Sequence, residues 1–387
     1  MGEYDFGSGC TNPDTFPSQE LAAAAARAIP DVGAAFTRYP GDLGHQGLRE
    51  VMAARESERE GVPVPADHIA LTNGSMQGVT LIAEAFMGQG EGDEDIVVSE
   101  ELTYSGTIGA YRRLGVRMVG VPLDEQGMRT DALASTLADL QSRGTPPRFV
   151  YTLATYQNPT GSVMPRERRL RLIEIACRYG VPVVEDNCYA DVHFEGDKEP
   201  ALYALDESPD QVYICSLSKI LGPGVRMGYL LARPPMLERI LERRFDGGNS
   251  LLAASVLAEY FRDNLWKHCE RTNAALKEKR DALLAGLQEH LGDICTWSRP
   301  AGGLFLWVGL PEDIDQRKLS ELAAERGVRY ARGAAFHVRG EDIPYIRLAF
   351  GYIGLEAIIE GTPILADCIR QARTGKVEVG AAAAAAS

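Results

Sequence analysis

Several shortages narrow this chain before any motif is read. Its seven cysteines, at 10, 177, 188, 215, 269, 295 and 368, form no C-x-x-C pair and are odd in number. That pattern argues against a disulfide framework or a zinc site and favours a reducing compartment, the cytoplasm. No apolar run approaches the about 18–20 residues that a membrane span needs, and residues 1–14 hold no basic stretch leading into an apolar one, so neither membrane nor export is expected. Basic residues are in deficit: 40 Lys and Arg face 54 Asp and Glu, a net charge of −14. This is the wrong sign for a partner of nucleic acid or anionic lipid. Common nucleotide and metal signatures are also missing. There is no G-x-x-x-x-G-K-[ST] and no H-E-x-x-H, the glycines of 222–228 have the wrong spacing for a dinucleotide fingerprint, and the six histidines show no ligand spacing.

What is present is globular. The 387 residues are 45% hydrophobic and 24% charged, enough for two to three domains. From residue 68 onward short β-branched runs alternate with helical patterns: strands at 69–72, 95–98, 116–121, 149–152, 181–185, 212–215 and 228–232, with helices at 75–86, 106–114 and 166–179. The alternation predicts an α/β fold with a mostly parallel, doubly wound sheet whose ligand site lies at the carboxyl ends of the strands. After residue 250 the pattern changes to a long charged helix over 251–287, strands at 302–308, 328–330 and 345–350, and a helix at 320–326, which reads as a smaller α+β domain. We therefore expect a large domain at 50–265 and a discontinuous small domain from 1–49 and 266–373. Residues 374–387 are expected as a disordered tail. The alanine run 22–26 reads as a helix N-capped after Pro17-Ser18.

Chemistry gathers where strands end. Gly74, Ser75 and Met76 fall where a strand turns into a helix, so their N–H groups can meet an anion or simply cap the helix. Asn158, in Tyr156-Gln157-Asn158-Pro159-Thr160-Gly161, follows another strand, and Asp186 ends the apolar run 181–185 with Tyr189 three positions on. The richest segment is Ser216-Leu217-Ser218-Lys219, followed by Gly222-Pro223-Gly224 and Arg226 ahead of the next strand. A lysine among hydroxyls and an arginine suits an anion site or, with its amine neutral, a Schiff base.

Taken together, Asn158-Pro159-Thr160-Gly161, Asp186 with Tyr189, Ser216 and Ser218 with Lys219, and Arg226 with Gly228 resemble the class I/II aminotransferases of fold type I. The likeness spans about residues 5–372 and is nearest in character to aminoadipate and kynurenine transaminases. It implies pyridoxal 5′-phosphate (PLP) as cofactor and amino-group transfer from an α-amino acid to a 2-oxo acid through a Schiff base on Lys219. It implies that Asp186 pairs with the pyridine nitrogen, that Asn158 and Tyr189 hold the phenolic oxygen, and that Tyr104 stacks on the ring. Gly74, Ser75, Met76, Ser216, Ser218 and Arg226 would surround the phosphate, joined by Tyr39 from a neighbouring subunit, so a homodimer with shared active sites is implied. Arg347, Asn158 and the backbone near Gly9 would take the substrate carboxylate, with 9–17 resembling a mobile segment that closes over substrate.

Departures from the family's usual residues are Met76, the 44–47 turn, Ala349 and Gly351. His45 reads as a turn residue and Cys188 as a packing residue. The same scaffold also supports elimination, replacement or cyclisation through a quinonoid intermediate, which is the alternative outcome. A regulator with an aminotransferase-like domain is disfavoured, because the likeness starts within ten residues of the N-terminus and the chain is acidic.

Overall fold

The computed structural model describes residues 3–88 and 94–375; the predicted tail lies almost wholly outside them. Seven strands form the large sheet: β1 (Ile69–Thr72), β2 (Ile96–Glu100), β3 (Arg117–Val121), β4 (Phe149–Thr152), β5 (Val183–Asp186), β6 (Gln211–Ser216) and β7 (Gly228–Ala232). Their order is β1-β7-β6-β5-β4-β2-β3. Pairing is parallel from β6 through β3, and β7 alone runs antiparallel to its neighbours β1 and β6. Gly228 pairs with both Thr72 and Ser216, so the chain enters β7 at the edge where β1 and β6 end. One sheet edge therefore collects the carboxyl ends of six strands and the residues just before the seventh.

Around the sheet lie α1 (Ser18–Val32), α2 (Gln46–Glu60), α3 (Ser75–Phe86), α4 (Ser105–Arg113), α5 (Thr130–Ser142) and α6 (Arg166–Arg178). The core strands are buried throughout their length, which is why they read as continuous apolar runs. A 41-residue helix, α7 (Leu251–Leu291), runs unbroken out of this region and packs against α1, α2 and a C-terminal helix, α9 (Leu355–Ala372). Beyond it, β8 (Thr296–Trp297), β9 (Phe305–Gly309), β10 (Ala331–Arg332) and β11 (Tyr345–Ala349) make an antiparallel sheet of order β8-β9-β11-β10, beside α8 (Gln316–Glu325). Tyr4–Asp5 pairs with Val328–Arg329 in a separate two-stranded sheet, and Ala349 N donates to Phe6 O at 2.7 Å, which brings residues 4–6 beside β11.

Several details differ from expectation. The helix at the alanine run starts at Ser18 itself, with Pro17 in the cap position and no side-chain cap. The strand expected at 302–308 starts only at Phe305, because Gly302 and Gly303 bend closely around Tyr156: a Cβ on Gly302 would collide with the Tyr156 ring, and Gly303 has φ +74°. The helices α2, α5 and α9 and the small hairpin 123–128 were not foreseen.

Beneath the sheet α2 carries a buried ionic cluster. Arg55 Nε donates to Asp191 Oδ2 at 2.7 Å, Arg59 Nη1 lies 3.2 Å from Asp191 Oδ1, and both arginines pair with Glu56. The hydroxyls of Tyr213 on β6 and Tyr229 on β7 join them. Asp191 lies in the turn that follows β5, five residues past Asp186. Burial pushes its carboxyl up, but Arg55 and then Arg59 overcome that push and hold it below its ordinary value.

Removing one partner from such a cluster strands a buried charge. Asp191→Asn is expected to destabilise the fold by about 3–5 kcal/mol in denaturant titration. The contribution of Asp191 is complete at neutral pH and is lost as pH falls below about 4 through the lowered value, so the variant should lose less stability on acidification than the wild type.

Candidate active site

At the shared edge, Ser75, Met76, Tyr104, Leu153, Asp186, Cys188, Tyr189, Ser216, Ser218, Lys219, Pro223 and Arg226 line a cavity of about 120 Å³. Each arrives by a simple route. Asp186 is the last residue of β5 and Ser216 the last of β6, Ser75 opens α3, and Tyr104 immediately precedes α4.

The α3 terminus is open to an anion. Gly74 caps it at φ +77° and ψ 166°, with no side-chain cap bond. A Cβ on Gly74 would lie 2.8 Å from Arg226 Nη2, so only glycine lets the guanidinium approach this terminus. Arg226 adopts the left-handed conformation at φ +54° after the turn 223–225 and donates to Asn73 O (3.0 Å) and Pro223 O (3.3 Å). Ser216 Oγ accepts from the Ser218 amide at 3.3 Å, placing both hydroxyl residues at the same corner.

Opposite this cationic corner sits a buried carboxylate. Tyr151 donates to Asp186 Oδ2 at 2.7 Å, whereas Asp186 Oδ1 is buried without a hydrogen-bond partner among the described residues. Burial raises the Asp186 carboxyl above the usual range, with Cys188 and Tyr151 opposing the rise. An unpartnered buried oxygen of this kind fits a ligand that brings its own N–H. Lys219 Nζ donates to Gly9 O at 3.0 Å and lies 5.4 Å from the centre of the Tyr189 ring. Burial lowers the amine below the ordinary lysine value.

Beyond Lys219 lies a second, arginine-centred half. Arg347, on β11, donates from Nη1 to Asn158 Oδ1 (3.0 Å) and from Nη2 to Gly7 O (2.9 Å), while Nε is buried and unpartnered. Its guanidinium rests on the rings of Phe305 and Phe336, at 4.1 and 4.8 Å from their centres. Burial draws it down to about 10. Asn158 joins the two halves: its Nδ2 lies 3.5 Å from Tyr189 Oη.

Residues 3–351 match the protein-family model for class I and II aminotransferases. The chain belongs to this family. An aromatic-amino-acid aminotransferase of Thermococcus litoralis is 33% identical over 94% of this chain and 87% of its own length. Among solved structures, this aminotransferase is similar to the kynurenine aminotransferase of Pyrococcus horikoshii, solved with PMP (TM-score 0.89, 32% identity, 96% of this chain and 91% of that one). It is also similar to the α-aminoadipate aminotransferase of Thermus thermophilus complexed with N-(5′-phosphopyridoxyl)-L-leucine (TM-score 0.86, 30% identity, 96% and 93%). The fold type I arrangement expected from the sequence is thus the one observed.

Of the cofactor- and substrate-site residues expected from the sequence, all but Tyr39 meet in this one region. Tyr39 is 87% exposed, lies against Gly247 and is not among the cavity-lining residues. His45 caps α2, accepting from the Leu48 amide at 3.1 Å, as its reading as a turn residue implied. Cys188 is buried but also lines the cavity. Sequence reasoning missed Tyr151, Gly7, Phe305 and Phe336. Tyr151 alone carried a signal, an inward-facing phenol near the end of a predicted strand.

Among the described residues no helix is long and apolar enough to cross a membrane, and no cluster of His, Cys, Asp and Glu could hold a metal ion.

The crowding at Gly74 gives a direct check. Gly74→Ala should cost about 1–3 kcal/mol from the backbone conformation alone. It should also displace Arg226 and weaken binding of a phosphate-bearing ligand, measured by denaturation and by calorimetry.

Proposed function

We propose that this aminotransferase uses PLP to move an amino group from an α-amino acid to a 2-oxo acid, with Lys219 as the catalytic residue. The observation that carries the reading is the orphaned Asp186 Oδ1 facing the same cavity as a half-buried lysine amine and a cationic corner. When bound, PLP supplies an aldehyde that condenses with amines and a ring that withdraws the electrons left by a departing α-proton.

Each side chain then has a defined task. Ser75 and Met76 amides at the start of α3, the hydroxyls of Ser216 and Ser218, and Arg226 beside Gly74 hold the phosphate. Asp186 Oδ1 accepts the ring N–H, and its burial makes that single bond strong. Asn158 Nδ2 and Tyr189 Oη, already close together, bind the ring's phenolic oxygen, while Tyr104 covers the ring. Lys219 holds the cofactor and, once free, takes the substrate α-proton and returns it. Burial favours the neutral amine that such a base requires. Arg347 presents its planar fork to the α-carboxylate, with Asn158 fixing the fork and the Gly9 backbone at the rim.

The quaternary and domain readings belong to the same proposal. Tyr39 is exposed and does not line the cavity of its own chain, which supports a homodimer in which it reaches the partner's phosphate site. The two sheets support a large domain at 50–265 and a small one from 1–49 and 266–373, joined through α7. Seven unbridged cysteines suit the cytoplasm.

Borohydride is expected to fix the cofactor covalently to the wild type and not to Lys219→Ala; equal labelling of both would overturn the assignment. Adding an amino acid alone should convert the bound cofactor to its amine form, and a 2-oxo acid should reverse the change. Consumption of amino acid without that conversion would favour elimination, replacement or cyclisation instead. Arg347→Lys keeps the charge but loses the fork, so kcat/KM should fall by a factor equivalent to about 2 kcal/mol or more, mostly through KM.

A further inference from the structure

One buried cation has no task in the reaction. Lys279, on α7, is 4% exposed, and no carboxylate among the described residues lies within ion-pairing distance of it. Its Nζ donates to Asn12 Oδ1 at 2.9 Å and to Gly351 O at 3.1 Å. Burial lowers its amine, with Asp14 pulling the other way. An ammonium held without a counter-charge is costly, so what it grips matters.

It grips both sides of the substrate half. Asn12 belongs to the segment 7–17, which lays Gly7 O on Arg347 and Gly9 O on Lys219. Gly351 follows β11, the strand that carries Arg347, and a Cβ there would collide with Cys10 O. The same side of α7 adds Thr272 to Thr15 Oγ1 (3.3 Å) and Arg271 to Thr15 O (3.4 Å). The segment is thus docked on α7 through polar contacts, of which Lys279 is the one that also reaches the strand end.

We propose that Lys279 is a positioning residue for substrate capture: it latches residues 7–17 to the turn after β11 and so sets how that segment covers Arg347 and Lys219. The proposal rests on the reading of those two residues given above. Its physical basis is that one ammonium ties two buried acceptors on separate pieces of chain: when it goes, Gly351 O loses its donor and Asn12 Oδ1 keeps only the Asp14 amide at 3.2 Å.

The test uses the PLP-loaded enzyme and the variants Lys279→Met, Asn12→Ala and their combination. Lys279→Met should raise KM for both amino acid and oxo acid ~10-fold while leaving kcat within about twofold, since the chemistry is untouched. Amide exchange in residues 7–17 should accelerate, with exchange in β5 and β6 and the cofactor absorbance unchanged. Asn12→Ala should reproduce these effects, and the double variant should add little. Unchanged KM and unchanged exchange in both single variants would overturn the latch. So would loss of cofactor with faster exchange throughout the large sheet in Lys279→Met, which marks a general structural role. Exchange is read without turnover: a wild type that fails to transaminate while the variants still loosen 7–17 would sink the proposed reaction and leave the latch standing.

Discussion

The site depends on a carboxylate that is held in place from below. Asp191 is gripped by Arg55 and Arg59 inside the fold, five residues past Asp186 at the end of β5 and two past Tyr189 in the turn that follows. Desolvating four charges is unfavourable, and only near-complete pairing offsets it. The tyrosines of β6 and β7 complete that pairing, which ties the loop to the two strands flanking the Lys219 segment. The loop after β5 and the lysine-bearing segment are therefore registered against one another by groups that do not line the cavity.

Above that base, the reversed strand β7 solves a geometric problem. A purely parallel sheet offers only strand ends to its ligand edge. Because β7 enters at that edge, Arg226 can be supplied from the approach to a strand, beside the α3 terminus supplied from the exit of β1. Two independent sources of positive potential converge on one corner, inside a chain whose overall charge is −14. Net charge thus describes the envelope and leaves the cavity free to be cationic.

Much of this was legible in the sequence for a definite reason. Lys219, Asp186, Asn158 and Ser216 sit just past apolar β-branched runs, where strand ends and site residues coincide, so local pattern places them. Strand boundaries such as Ile69–Thr72 and Phe149–Thr152 follow from the same runs. What was illegible depends on pairing across distance. Arg55 and Asp191 are separated by 136 positions and Lys279 and Asn12 by 267, and each looks like an ordinary polar surface residue until the fold buries it. Tyr39 is the opposite case: a local motif named it, yet in its own chain it lies exposed and outside the cavity lining.

Asn158 touches both halves of the site, with its oxygen on Arg347 and its nitrogen toward Tyr189. One amide therefore serves two masters, and neither contact can be retuned without disturbing the other. A lineage that shifts its preferred amino acid has little room to vary at this position. Diversification is left to the walls that meet only the substrate's side chain, while the shared amide stays as a fixed hinge of inheritance between the two halves.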